Sequence, residues 1–194
     1  MKGDTMFFKK SVKQKVLDLA KFDLDKFLFG DRQLFLYDYV TSESSQRLIK
    51  NMIAMDKLNP KTPIILWINS GGGSITDGYA IINAIKYISS PVVTIINGRA
   101  CSMAALISVH GYKRFITLDS VWMAHDGQAF MCDYFQKLKD RMKFIERLEY
   151  INNKILATKT KLSGDEIKQA TNGELWLFDE ECVVKGIVDE VLKV

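Results

Sequence analysis

The sequence predicts an α/β fold with one main domain, in which helices cover a largely parallel β-sheet. The apolar runs 63–68 and 92–96 are typical of strands that are buried on both faces. Each run precedes a helical segment, and no linker rich in proline, glycine or serine interrupts this part of the chain. Strands that alternate with helices form βαβ units, and these units build parallel sheets.

The elements of the first two thirds follow one another at short intervals. Helices are indicated where apolar residues recur every three or four positions, and strands where short apolar runs occur. The predicted order is strand 34–37, helix 42–55, strand 63–68, helix 75–88, strand 92–96, a turn at 97–101, helix 102–109, strand 114–117 and strand 121–124.

Residues 133–162 contain no glycine or proline, and their apolar residues predict one long helix. Such a helix spans roughly 45 Å, more than a domain of this size can bury, so part of it should project and meet a partner. A break near Asn152 and Asn153 is the alternative. The remaining predicted elements are a helix started by a capping box at 163–166, a short helix at 180–185 and a strand at 187–192.

Composition restricts the classes of function. A net charge of +4 over 194 residues does not indicate nucleic acid or an anionic membrane as a partner. Cys101, Cys132 and Cys182 are widely spaced and only two histidines occur, so we expect incidental thiols, with no metal site and no cofactor. No apolar run reaches the roughly 18 residues of a membrane span, and no secretory signal is recognisable, so a cytoplasmic protein is expected.

Residues 1–29 are interpreted as an N-terminal arm that precedes the domain at 30–194. Lysines at 9–15 come before apolar residues at 16–22. This pattern fits either a short amphipathic helix or a solvated terminal extension.

A glycine-rich turn at 69–74 (NSGGGS) joins a predicted strand to a predicted helix. Glycines let a ligand approach the backbone closely, and N–H groups at a helix start attract a phosphate or an oxyanion. The segment matches neither the dinucleotide-binding pattern nor the P-loop pattern.

Ser102 lies at a second strand-to-helix turn, where its hydroxyl should stand at the carboxyl edge of the sheet. Such a serine either acts as a nucleophile or merely caps the helix. A nucleophile needs a base, and His125, at the end of a predicted strand, is the better of two histidines. His110 follows the helix, whose C-terminus favours the imidazolium. The group that would orient the imidazole is open among Asp126, Asp133, Asp165, Glu174, Asp179 and Asp189.

Five segments resemble the ATP-dependent Clp protease proteolytic-subunit family, in order and at matching separations. The likeness runs from about residue 31 to the C-terminus. The segments are 68–78 (INSGGGSITDG), similar to I-N-S-P-G-G-x-I-T-x-G, 98–104 (GRACSMA), similar to G-x-A-x-S-M-A/G, 113–115 (KRF), 123–125 (MAH), similar to M-I-H, and 186–189 (GIVD), similar to G-L-V-D.

The resemblance implies a crotonase-like α/β fold of repeated ββα and βαβ units, with the long helix projecting as a handle. It implies a serine endopeptidase that uses Ser102 as nucleophile and His125 as general base. The oxyanion hole would be formed by the N–H groups of Gly73 and Met103. It also implies a homo-oligomer of two heptameric rings, a tetradecamer, which receives unfolded polypeptide from a partner AAA+ unfoldase.

The third catalytic residue departs from the family pattern. The family usually has an aspartate two residues before an aromatic residue, and the matching position here is Glu174. Glutamate can still accept from an imidazole N–H, so we expect Glu174 to take this role, with Asp179 or Asn172 as alternatives. Gly71 replaces the family's proline, and 126–130 lacks the glycine pair of the stretch that binds the peptide as an added strand.

Three other functions remain possible. A phage-type head-maturation protease would use the same triad without an ATPase. A non-catalytic ring subunit would not need Ser102 and His125. An acyl-CoA hydratase of the same superfamily would use a glycine-rich oxyanion hole, but it would leave Ser102 unexplained.

Overall fold

The computed structural model describes residues 24–127 and 131–193. The chain forms two units, Met1–Asp31 and Arg32–Val194. The described part of the first unit is helix α1 (Leu24–Gly30). The lysine-rich segment of the predicted N-terminal arm lies outside the described residues, and so do residues 128–130.

The described residues of the second unit form seven strands and six helices, which alternate over most of its length. The elements are β1 (Gln33–Leu36), α2 (Ser42–Leu58), β2 (Ile64–Ser70), α3 (Ile75–Tyr87), β3 (Val92–Cys101), α4 (Met103–Ser108), β4 (Lys113–Thr117), β5 (Val121–His125), α5 (Phe135–Lys159), α6 (Gly164–Asn172), β6 (Glu174–Phe178), α7 (Asp179–Val184) and β7 (Glu190–Leu192).

The sheet has a parallel main body, in the order β1-β2-β3-β4-β7. β3 is long enough to pair with two strands in succession. Its first part pairs with β4 and its last residues pair in parallel with β5, which in turn pairs with the antiparallel β6. The predicted α/β fold with a largely parallel sheet is confirmed.

The core lies between the helices and the sheet, where α2 packs against α3 and β1, and α4 packs against α3, β2, β3 and β5. Ile64, Leu66 and Ile68 alternate along β2 with no exposed surface. Apolar side chains that leave water contribute roughly 25 cal/mol per Å² buried, so this strand anchors the sheet. No helix in the described part of the chain is both long enough and apolar enough to cross a bilayer.

The predicted turn at 97–101 is wrong, because β3 continues through it to Cys101. Arg99, Ala100 and Cys101 pair with β5, and these added pairs keep the segment extended beyond the end of the apolar run. Strand β6 was not predicted. Its burial alternates as in a half-buried strand, with Leu175 and Leu177 inside, but residues 175–178 are all apolar, so the sequence itself lacks the period-two signal.

Helix α5 is continuous from Phe135 to Lys159, without the alternative break near Asn152. Its 25 residues span about 38 Å, and Leu156 is the one residue on it that is buried. The Tyr79 hydroxyl on α3 donates to Asn152 Oδ1 at 2.7 Å and so fixes the base of the helix. The capping box of Ser163 and Glu166 at the start of α6 is confirmed.

Candidate active site

Ser102 occupies a sharp turn between β3 and α4. Its backbone has φ 55° and ψ −123°, a region that residues with a side chain rarely adopt. Its N–H donates to the Met123 carbonyl at 2.8 Å, and its own carbonyl accepts from Ala105 at 3.0 Å. Although Ser102 is at the N-cap position, its side chain makes no capping hydrogen bond. The backbone is therefore held from both sides, while the hydroxyl is free of the capping role.

The glycine-rich turn passes directly over this serine. A methyl group placed on Gly72, which has a φ of +94°, would lie 2.6 Å from Ser102 Cβ and 2.9 Å from the Met103 nitrogen. Only glycine allows the two backbones to approach so closely. The turn is held by Val40, whose N–H donates to Gly72 O at 2.7 Å and whose carbonyl accepts from Ser74 at 2.8 Å.

Two backbone N–H groups next to the contact between Gly72 and Ser102 belong to Gly73 and Met103. The amide of Gly73 takes no part in the hydrogen bonds that its neighbours Gly72 and Ser74 make with Val40. The amide of Met103 begins α4, and the first N–H groups of a helix have no partner within it. The Met103 side chain is 2% exposed and packs against Gly78 of α3, so its contribution to the site is its main chain.

His125 is the last residue of β5, the strand between β3 and β6. Ser102 bonds to Met123 of β5, two residues from His125, and alternate residues of a strand point to the same face. On the other side, the antiparallel register places Glu174 directly opposite His125. Cβ atoms of directly paired residues lie about 5 Å apart. Three adjacent strand ends thus bring Ser102, His125 and Glu174 to one edge of the sheet.

Glu174 is exposed, and its carboxylate has a defined partner. The indole Nε1–H of Trp176 donates to Glu174 Oε2 at 2.8 Å. Burial raises the pKa of the Cys101 thiol, Arg99 opposes this rise and Glu174 adds to it, so the Glu174 charge acts close to the end of β3. Within the described residues, no hydrogen bond joins His125 to Ser102 or to Glu174.

The alternatives for the third residue are placed differently. Asp179 follows Phe178, which pairs with Val121 at the opposite end of β5 from His125, and its carboxylate accepts from the Asp119 N–H at 2.8 Å. Four steps along the strand, roughly 14 Å, separate the Phe178–Val121 pair from the Glu174–His125 pair, and Asp179 lies one residue beyond Phe178. Asn172 ends α6, two residues before Glu174, and so stays near the same sheet edge.

The other acidic candidates that the sequence left open have partners of their own or lie on other elements. Asp126 accepts from the Gly127 N–H, Asp133 pairs with Lys137 and Arg141, Asp189 pairs with Arg114, and Asp165 lies in the first turn of α6.

His110 follows the C-terminal end of α4, the helix that begins after Ser102, and is 7% exposed. Its Nδ1 is 2.7 Å from the Leu106 carbonyl. Burial lowers the pKa of His110 to about 4, and the Leu106 contact opposes this only in part. The expectation that the helix C-terminus favours the imidazolium is therefore wrong at His110, because the loss of hydration outweighs the helix dipole.

A cavity of about 80 Å³ opens beside Ser102 and His125. Leu106 of α4 and Ala124 of β5 line one side of the cavity, and Ile145 and Leu148 from the middle of α5 line the other. The sequence predicted α5 as a helix but did not assign it to the site. The helical spacing of its apolar residues indicated a buried face, and residue type alone could not show that this face meets Ser102.

Among the described residues, no three His, Cys, Asp or Glu side chains form a group that could hold an ion. Cys101 and Cys182 are buried, and burial raises the pKa of Cys182 to about 12. Buried thiols of raised pKa are poor nucleophiles.

Comparison with known proteins gives one consistent result. The family model described as Clp protease matches residues 17–194. The ATP-dependent Clp protease proteolytic subunit 1 of Chlamydia trachomatis serovar D is 30% identical over 181 residues, which cover 87% of this chain and 90% of the relative. The subunit 1 of Chlamydia muridarum gives the same identity and coverage. The subunit 2 of Treponema denticola is 27% identical over 172 residues, covering 88% and 86%.

Proposed function

Because the chain belongs to the Clp protease family, we propose that it is a serine endopeptidase that hydrolyses unfolded polypeptides. The observation that carries this proposal is the register of three adjacent strands. Ser102 follows β3 and bonds to β5, His125 ends β5, and Glu174 pairs with His125 from β6. A nucleophile, a base and an orienting carboxylate in this order are the parts of a serine triad.

The chemistry begins with a proton transfer. His125 accepts the proton of the Ser102 hydroxyl as its oxygen attacks the carbonyl carbon of the scissile peptide bond. Glu174 accepts from the other ring N–H, which orients the imidazole and stabilises the imidazolium. We expect both hydrogen bonds of His125 to form when substrate binds, since catalytic hydrogen bonds often tighten only in the complex.

The developing oxyanion is stabilised by the backbone. The N–H groups of Gly73 and Met103 donate to the tetrahedral oxygen, and loss of one such donor typically costs about 3 kcal/mol of transition-state stabilisation. His125 then gives its proton to the leaving amine, and water hydrolyses the Ser102 ester by the reverse transfers. The cavity beside Ser102 accepts the substrate side chain next to the scissile bond.

We further propose that the chain assembles into heptameric rings, paired into a tetradecamer by α5. Phe135, Phe144 and Tyr150 of α5 are each more than half exposed in the single chain. Large apolar residues on a projecting helix are typical of an interface. The relatives are named as subunits of an ATP-dependent protease. Since this sequence contains no P-loop, an AAA+ unfoldase would use the ATP and deliver the polypeptide.

Labelling with a fluorophosphonate probe tests the proposed nucleophile. We expect the wild type to be labelled and Ser102→Ala to be unlabelled. Ser42→Ala is the matched control, because Ser42 is an exposed serine in the first turn of α2 and should leave labelling unchanged. An assembled wild type that takes up no probe would exclude an activated serine, and a non-catalytic ring subunit would then be the better account.

A further inference from the structure

The side chain of Glu174 has more conformational freedom than the aspartate usual at this position. Its side chain is one methylene longer and has one more rotatable bond, and it is exposed at the first position of β6. A carboxylate that orients an imidazole must hold one position, because a misplaced carboxylate no longer fixes the ring. A long exposed side chain has many rotamers and does not hold a position by itself.

Trp176 supplies the missing constraint. It lies two residues after Glu174 and therefore on the same face of β6. Its indole N–H donates to Glu174 Oε2 at 2.8 Å, a length typical of a hydrogen bond to a charged acceptor. Trp176 itself pairs with Met123 of β5, the residue whose carbonyl accepts the Ser102 N–H. The Trp176 backbone is thus fixed beside the strand that carries His125.

We propose that Trp176 is a positioning residue, which holds Oε2 of Glu174 so that Oε1 faces the His125 ring. A carboxylate has two acceptor oxygens, so the indole bond leaves one free for the imidazole N–H. The pair of Glu174 and Trp176 would then replace the shorter aspartate that the resemblance leads one to expect. This inference rests on the proposed triad and adds a residue to it.

Steady-state hydrolysis of a short fluorogenic peptide by the assembled protein tests the role of Trp176. Trp176→Phe keeps an aromatic ring and removes the N–H, and we expect kcat to fall roughly 10-fold with little change in KM, within the range of a lost charge-assisted hydrogen bond. The acid limb of the kcat/KM profile should move to lower pH, because a loosened carboxylate stabilises the imidazolium less.

The matched control is Trp67→Phe. The Trp67 indole also donates to a side chain, Gln33 Oε1 at 2.9 Å, but at the β1–β2 edge of the sheet. The Trp67→Phe substitution removes the same indole N–H at a place that does not contact the site, so activity should be unchanged. A second test is rescue: Glu174→Asp in the Trp176→Phe background should recover activity relative to Trp176→Phe alone, because the shorter carboxylate needs no tether.

The outcomes separate the two proposals. The positioning role is supported if Trp176→Phe loses activity and its acid limb shifts, while the activity of Trp67→Phe is unchanged. Recovery of activity by Glu174→Asp in the Trp176→Phe background supports it as well. Unchanged or higher activity in Trp176→Phe, or an equal loss in Trp67→Phe, overturns it while probe labelling of Ser102 keeps the peptidase proposal. Wild type without labelling or hydrolysis overturns both. Thermal melts of every variant identify any loss that comes from misfolding.

Discussion

Ser102 has a backbone conformation that is unfavourable for a residue with a side chain. Its positive φ is held by hydrogen bonds to Met123 on one side and to Ala105 on the other. Such conformations cost of order 1–3 kcal/mol and persist where the surroundings over-determine them. The same turn frees the hydroxyl from capping α4 and directs the serine to the sheet edge. The strain of the backbone and the placement of the proposed nucleophile therefore have one cause.

The strain at Ser102 can be measured by comparing two inactive variants. Ser102→Gly removes the hydroxyl and tolerates positive φ, whereas Ser102→Ala removes the hydroxyl and keeps the unfavourable Cβ. We expect Ser102→Gly to be more stable than Ser102→Ala by about 1 kcal/mol in urea unfolding. Equal stabilities, or a less stable glycine variant, would show that the turn is not strained in solution.

His110 gives the fold a pH dependence in a defined window. In the native protein its pKa is lowered to about 4 by burial, whereas in the unfolded chain it is near its ordinary value of 6.5. Between these values the unfolded state binds the proton and the native state does not, so stability falls as the pH falls. From pH 8 to pH 5 the loss from this one residue should be about 2 kcal/mol.

Urea unfolding of wild type and His110→Gln at pH 8 and pH 5 measures this contribution. Glutamine keeps a polar group for the Leu106 carbonyl but does not titrate. The wild type should lose about 2 kcal/mol more than the variant across this range. Parallel losses in both proteins would show that His110 is not the group responsible. Glu166, whose pKa is lowered to about 2, titrates below this window and does not confuse the comparison.

At the scale of elements, the sequence was most informative where residue periodicity and packing agree. The alternation of apolar runs and amphipathic helices predicted β2, α3 and α4 nearly to their ends, because these elements form the core. Ser102 and His125 could be proposed from their positions at element ends. The extension of β3 and the existence of β6 could not, since both depend on pairing with β5 rather than on local pattern.

This limit explains why the third site residue was the hardest to choose from the sequence. Nothing near Glu174 in the chain indicates His125, which lies about fifty positions away. The resemblance to a family, and not the spacing, indicated Glu174. The antiparallel register then placed it opposite His125, and it placed Asp179 at the other end of the same ladder.

The exposed apolar residues of helix α5 lead to a prediction about assembly. Phe144 is 55% exposed, so Phe144→Glu should leave the single chain folded, with far-UV circular dichroism like the wild type. If α5 joins two rings, a buried charge at the interface should reduce the assembled species in sedimentation velocity. Lys143→Glu changes the charge of the neighbouring, exposed residue and is the control. Normal assembly of Phe144→Glu would show that this part of α5 does not lie in the interface.

For the whole molecule, the position of the cavity connects the proposed assembly with the proposed activity. Ile145 and Leu148 line the cavity beside Ser102, and both lie on the helix that we propose joins the rings. In the single chain, buried Leu156 and three hydrogen bonds tie this helix to the rest of the fold: Tyr79 donates to Asn152 Oδ1 and to the Leu148 carbonyl, and Arg114 donates to the Lys159 carbonyl. A wall of the proposed substrate site is thus carried by a helix with one buried residue in the single chain, and regions with few buried residues open most readily.

We therefore expect the activity per chain to depend on protein concentration. As the protein is diluted through the dissociation range seen by sedimentation velocity, hydrolysis of a short fluorogenic peptide per chain should fall in parallel with the assembled fraction. Fluorophosphonate labelling of Ser102 should fall with it, because the nucleophile and the cavity wall are ordered together. Constant activity per chain across dissociation would mean that the isolated subunit holds its site by itself, and that assembly serves only to restrict access to it.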